Sequence, residues 1–163
     1  VRTAIDTNVL LDILTNDQRY FPGACHTVAH AVQSGTAVVS SIVYAELGVY
    51  FEARTPDLDD FLRDMGVMLD PVLAGDTLKI AARAWRGYLQ QRGQQGQCPR
   101  CGQMLDVVCP QCARPVPWRQ RMLADFLIGA HAVAQADALL TRDRRLYAAY
   151  FKDLPLVAPE DAA

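Results

Sequence analysis

Three acidic residues, far apart in the chain, sit where an apolar stretch ends or a helix begins, and a fourth lies about two turns into a helix. Asp6 lies in Ile5-Asp6-Thr7-Asn8, Asp125 in Ala124-Asp125-Phe126-Leu127-Ile128, and Asp143 in Leu140-Thr141-Arg142-Asp143. The fourth, Glu46, lies in Ser40-Ser41-Ile42-Val43-Tyr44-Ala45-Glu46-Leu47. Carboxylates in apolar surroundings are costly unless something compensates them. A set of three or four hard oxygen ligands suits Mg²⁺ or Mn²⁺ and does not suit zinc or copper. Without a cation, mutual repulsion would push some of their pKa values up. Such an ion orients water, lowers its pKa and stabilises charge on a phosphodiester, which is the chemistry of a metal-dependent nuclease. Asn8 is placed to hydrogen-bond Asp6 or a metal-bound water. Thr141 can do the same for Asp143 and cap the turn that follows.

Each acid also has a plainer explanation. Asp6 could cap the helix after the first strand, and Asp125 could favour a helix amino terminus through the dipole. Glu46 could be an exposed helix residue and Asp143 a turn former. One metal site replaces four separate coincidences. Asp12, Asp17, Asp137 and Asp153 are read as surface or capping residues. Of the three histidines, His26 and His30 have i,i+4 spacing without a third ligand and read as a surface or partly buried pair, whereas His131 faces neighbouring elements.

The elements that must position these groups alternate between strand and helix. Strands are expected at 3–5, 37–40, 67–69, 138–140 and 156–157, from their short apolar or β-branched runs. Helices are expected at 8–14, at 21–33 opened by Pro22, and from 42 to about 53 with Ser41 as cap. Further helices are expected at 58–63, 76–91, from 119 or 123 to 134, and at 144–150. The 76–91 helix would turn Leu78, Ala81, Ala82, Trp85 and Leu89 inward. Strands separated by helices imply parallel pairing, right-handed crossovers and helices on both faces. Functional groups then gather at the carboxyl edge of the sheet, where Asp6 and Asp143 directly follow strands.

The chain has 163 residues, 51% of them hydrophobic and 21% charged, as in an ordinary globular domain. No apolar run approaches the roughly 18 residues needed to span a bilayer. The first residues lead straight into a strand, so the expectation is no signal peptide, no membrane segment and a cytoplasmic protein. Net charge is −2, which does not advertise nucleic-acid binding. Arginines nevertheless cluster at 114–121 and at 142–145, and a local patch can steer a polyanion. Arg119, Arg142 and Arg144 are the RNA-binding candidates, with a solvated surface as the bland alternative.

The motifs Ile5-Asp6-Thr7-Asn8-Val9-Leu10-Leu11-Asp12, Tyr44-Ala45-Glu46-Leu47, Ala124-Asp125-Phe126-Leu127-Ile128-Gly129-Ala130-His131-Ala132 and Leu140-Thr141-Arg142-Asp143 resemble those of the PIN-domain ribonucleases. Within that family the VapC-type toxins of toxin–antitoxin pairs are the most similar. The resemblance covers nearly the whole chain outside a cysteine segment. It implies an α/β, PIN-like three-layer α/β/α fold, assigned to 1–158, and the terminal residues 159–163 are separately expected to be a frayed tail. It also implies Mg²⁺- or Mn²⁺-dependent endonucleolytic cleavage of RNA, with Asp6, Glu46, Asp125 and Asp143 as metal-binding acids. An antitoxin protein and a homodimer are the partners it implies. Haloacid-dehalogenase-type phosphatases also place an acid after their first strand, but a second acid follows where this chain has Asn8.

Residues 93–117 break the pattern. Cys98-Pro99-Arg100-Cys101 and Cys109-Pro110-Gln111-Cys112 are two matching knuckles, seven residues apart. Each can wrap one side of a tetrahedral ion with N–H groups pointing at the thiolates, so Cys98, Cys101, Cys109 and Cys112 are read as a structural zinc site. A segment this small has no core of its own, and metal would supply its folding energy. Disulfides, a redox Cys-x-x-Cys and rubredoxin-like iron are the alternatives. Cys25 reads as a buried thiol. Some rRNA-processing nucleases also combine a PIN domain with a zinc ribbon, so a housekeeping nuclease stands beside the toxin. A non-catalytic RNA- or protein-binding module is the alternative from another class.

Overall fold

The computed structural model describes residues 1–51, 55–91, 96–98, 101, 103–116 and 121–159. Its centre is a five-stranded parallel sheet in the order β3-β2-β1-β6-β7, formed by β1 (Arg2–Ile5), β2 (Thr36–Ser40), β3 (Val67–Asp70), β6 (Ala138–Leu140) and β7 (Leu156–Val157). Ala4 pairs with Val38 on one side and Leu139 on the other, so β1 is central and its last three residues are buried. Parallel pairing requires crossovers, supplied by α1 (Thr7–Leu14), α2 (Phe21–Ser34), α3 (Ser41–Gly48), α4 (Thr55–Asp64), α5 (Gly75–Gln91), α6 (Leu123–Gln135) and α7 (Arg144–Tyr150). The expected α/β class, strand positions and parallel pairing are all present. Among the described residues, no helix is long and apolar enough to cross a membrane.

Two expectations need correction. The cap of α3 is Ser40, whose hydroxyl accepts from the Val43 N–H at 3.3 Å, and the helix stops at Gly48. A 3₁₀ turn, Val49–Phe51, follows and brings the Phe51 ring to 5.8 Å from Phe61 of α4. The second correction concerns α5. Its buried residues are Thr77, Ala81 and Tyr88, while Leu78 and Leu89 are 51% and 37% exposed. The helix is turned by an aromatic cluster: Trp85 and Tyr88 stack on each other at 5.2 Å and meet Phe126 of α6 at 5.2 and 5.5 Å. Aromatic burial of this size outweighs a leucine at the edge of the stripe.

The cysteine segment forms two small turns. A hairpin of β4 (Gly96–Gln97) and β5 (Met104–Leu105) carries the first, closed by the Cys98 N–H donating to the Gln103 carbonyl at 2.8 Å. An antiparallel bridge between Val108 and Pro115 carries the second, where the Cys109 N–H donates to the Arg114 carbonyl at 2.9 Å. The two repeats thus share one hydrogen-bonding plan, five residues from each cysteine to its partner carbonyl. The tail beyond 159 lies outside the described residues, as do parts of the expected insert.

Candidate active site

Asp6 ends β1 and stands at the N-cap position of α1, yet its side chain makes no capping bond. Its carboxylate instead turns toward the other elements. Oδ2 accepts from Asn8 Nδ2 at 2.6 Å and from Thr141 Oγ1 at 2.7 Å. Tyr147 on α7 adds a side-chain hydrogen bond, and its own phenol is pushed up by burial and the surrounding acids. Asp6 is 5% exposed, and burial, with the charge of Asp125 added, drives its carboxyl up to about 6 despite these donors. A carboxylate so well supplied with donors and still so raised stands in a strongly acidic, poorly solvated place.

The remaining acids surround it. Asp125 is the third residue of α6, where its Oδ2 accepts from the Met122 N–H at 3.0 Å. Burial raises its carboxyl, opposed by that N–H and by Arg121, and the Asp143 charge raises it further. Asp143 follows β6 and caps α7: Oδ1 accepts from the Leu146 N–H at 3.1 Å, and Oδ2 pairs with Arg121. Thr141, fully buried, links two of the acids, donating to Asp6 while its oxygen accepts from the Asp143 N–H at 2.9 Å. Glu46 reaches the same place through Thr7, whose hydroxyl donates to Glu46 Oε2. Asp6, Asp125 and Asp143 therefore interact electrostatically at one sheet edge, and Glu46 is tied to the residue beside Asp6.

Hard oxygen donors and two raised carboxyls fit a divalent cation, because a nearby positive charge favours the ionised forms. As the side chains stand, no three Asp, Glu, His or Cys groups among the described residues converge closely enough to hold a metal. Glu46 is turned to Thr7 and Asp143 to Arg121. Nor do the cysteines converge in such a group among the described residues. None is in a disulfide, and the Cys109 thiol is held below its usual range by N–H groups of Cys112 and Gln111, then by the Cys112 side chain. Ala113, directly after the second knuckle, has φ 55°, in the left-handed region.

Of the RNA-binding candidates, Arg119 lies outside the described residues and Arg144 is exposed at the start of α7. Arg142 is exposed but tied to its neighbours: its Nε meets Asp12 Oδ2 at 2.7 Å and its guanidinium lies 4.4 Å from the centre of the Tyr20 ring. Asp12 is accordingly not a surface residue. It is 3% exposed, on the inner face of α1, with Arg142 as its counter-ion. His26 and His30 are exposed on α2, and His131 is fully buried, its Nε2 within 3.1 Å of Asp70 Oδ2.

Sequence reasoning missed three participants: Tyr147, Arg121 and Thr7. Tyr147 was legible in outline, since it follows Asp143 by four residues and shares its helix face. Arg121 precedes Asp125 by four residues, but nothing local says that it turns to Asp143. Thr7 sits inside the Asp-Thr-Asn motif.

A family model for the PIN domain matches residues 3–152, and the chain belongs to that family. Among solved structures it is similar to VapBC2 from Rickettsia felis bound to a DNA fragment from its promoter, with a TM-score of 0.62 and 15% identity, covering 98% of this chain and 100% of that one. At that identity the likeness is one of fold. No curated protein matches the chain by sequence.

Proposed function

We propose that this PIN-domain chain is a Mg²⁺- or Mn²⁺-dependent endoribonuclease. The observation that carries the reading is the buried Asp6, raised to about 6 and ringed by donors, with Asp125 beside it and Asp143 linked to it through Thr141. A bound divalent ion would supply the Lewis acidity that activates water and offsets charge on the phosphodiester. Asp6, Glu46, Asp125 and Asp143 would hold it. Asn8, Thr141 and Tyr147 keep the Asp6 carboxylate oriented. Hydrolysis would proceed in line at phosphorus. Water adds, the P–O3′ bond breaks, and the downstream fragment keeps a 5′-phosphate while the upstream fragment leaves with a 3′-hydroxyl.

Arg144, exposed beside Asp143, and Arg119 are candidates to hold the RNA backbone. The resemblance to VapC-type toxins and the fold shared with VapBC2 support a toxin held by an antitoxin, and a homodimer, with rRNA processing as the housekeeping alternative. Cys98, Cys101, Cys109 and Cys112 would bind structural zinc. The matched hydrogen-bonding plan of the two turns and the N–H groups aimed at Cys109 support that assignment. A non-catalytic binding module has one feature in its favour, the pairing of Arg121 with Asp143. Cleavage of an end-labelled RNA pool in Mn²⁺, beside EDTA and Asp6→Asn controls, decides between them. Metal-dependent cutting lost in the variant is the expected result. Folded wild-type protein that cuts nothing overturns the nuclease.

A further inference from the structure

Arg121 is the only residue whose cationic side chain pairs directly with one of the four candidate acids among the described contacts. Its backbone is anchored separately, the N–H donating to the Tyr88 hydroxyl at 3.2 Å. Its Nη1 pairs with Asp143 Oδ2, and the two side chains are 33% and 30% exposed. The other Asp143 oxygen already accepts from the Leu146 N–H, so both oxygens of this acid are engaged. The Arg121 charge also reaches Asp125. A guanidinium stays protonated at every working pH, so this positive charge cannot be titrated away. A divalent ion taking Asp143 Oδ2 as ligand needs the position the guanidinium holds, and two cations repel each other at that range.

We propose that Arg121 is a built-in counter-ion of the acidic site, holding Asp143 in the metal-free protein and giving way when a divalent cation binds. The inference rests on the metal-site reading above. Arg121 would thus stabilise the empty site and set its metal affinity. The residue stands just before α6.

The test is Mn²⁺ binding to the full chain, read from the electron-paramagnetic-resonance signal of free Mn²⁺ without any RNA. Wild type is compared with Arg121→Gln, Arg121→Lys and Asp6→Asn, each checked for a cooperative thermal transition. Removing an exposed-edge ion pair should tighten binding by roughly two- to fivefold in Arg121→Gln. Arg121→Lys, which keeps the charge, should stay close to wild type. Equal or weaker binding by folded Arg121→Gln, while Asp6→Asn abolishes binding, overturns the counter-ion role and leaves the metal site standing. Binding indifferent to Asp6, or absent from both wild type and Arg121→Gln, removes the metal site and this inference together.

Discussion

Asp6 is held as a carboxylate where a neutral group would be cheaper. Moving its pKa from 3.8 to about 6 corresponds to about 3 kcal/mol of cost to the ionised, metal-free protein. The folded pKa is the raised one, so the cost is absent below pH 3.8 and grows as pH rises through about 6. Asp6→Asn should therefore be more stable than metal-free wild type at pH 7.5, with the gap closing toward pH 4, as urea titrations would read. An equal gap at both pH values would contradict it. Tyr147→Phe removes a donor to the Asp6 carboxylate, and losing that donor raises its pKa further. The acid limb of Mn²⁺ binding against pH should move upward, with little change at high pH. Tyr147 also packs 6.1 Å from Phe151, a contact that phenylalanine preserves.

At the scale of elements, each acid is delivered by the end of one: Asp6 and Asp143 by β1 and β6, Asp125 by the first turn of α6, Glu46 by α3. The fit of α6 against the chain after α7 is close. A Cβ on Gly129 would stand 2.5 Å from Phe151 Cε2, so Gly129→Ala should cost about 1–3 kcal/mol and be read as a lowered thermal midpoint. An unchanged midpoint would mean that Phe151 moves freely aside. In the insert, apolar Met104, Leu105 and Val108 are half exposed, so little core holds the two turns. If zinc organises them, Cys101→Ser with Cys112→Ser should reduce bound zinc from about one equivalent to none by elemental analysis. A wild-type chain purified without zinc or iron would contradict that.

Across the whole molecule, Asp70 at the end of β3 joins three regions. Its Oδ2 accepts from Arg2 Nη2 at 2.7 Å, Gln135 Nε2 at 3.0 Å and buried His131 at 3.1 Å. Burial raises the Asp70 carboxyl, but donors from His131 and Arg2 outweigh it and hold it low. Burial holds His131 below its usual range, against the pull of Asp70. At the acidic edge the cationic partner is Arg121, on Asp143, and the proposed divalent ion would come from outside the chain. Saturating Mn²⁺, at 100 times its Kd, should add about 2.7 kcal/mol to wild-type stability and nothing to Asp6→Asn. Differential scanning calorimetry with and without EDTA measures both.

The order of strands and helices was readable because each carries its own period, apolar run or punctuation. Asp6, Asp125 and Asp143 were readable because each stands where an apolar element ends or a helix begins, and Glu46 because it interrupts the apolar run of α3. That Asp6, Asp125 and Asp143 interact at one edge follows from parallel strand order, which the alternation of elements already implies. What the chain's local pattern did not contain is rotation and pairing. Tyr88 rather than Leu89 faces inward on α5 because Phe126, 38 residues further on, offers a ring to pack against. Asp12 is buried because Arg142 reaches it across 130 residues, and Tyr20 covers the guanidinium. Arg121 turns to Asp143, and Thr7 to Glu46, for the same reason. Secondary structure is decided by neighbours in sequence, and the partner of a buried charge is decided by neighbours in space.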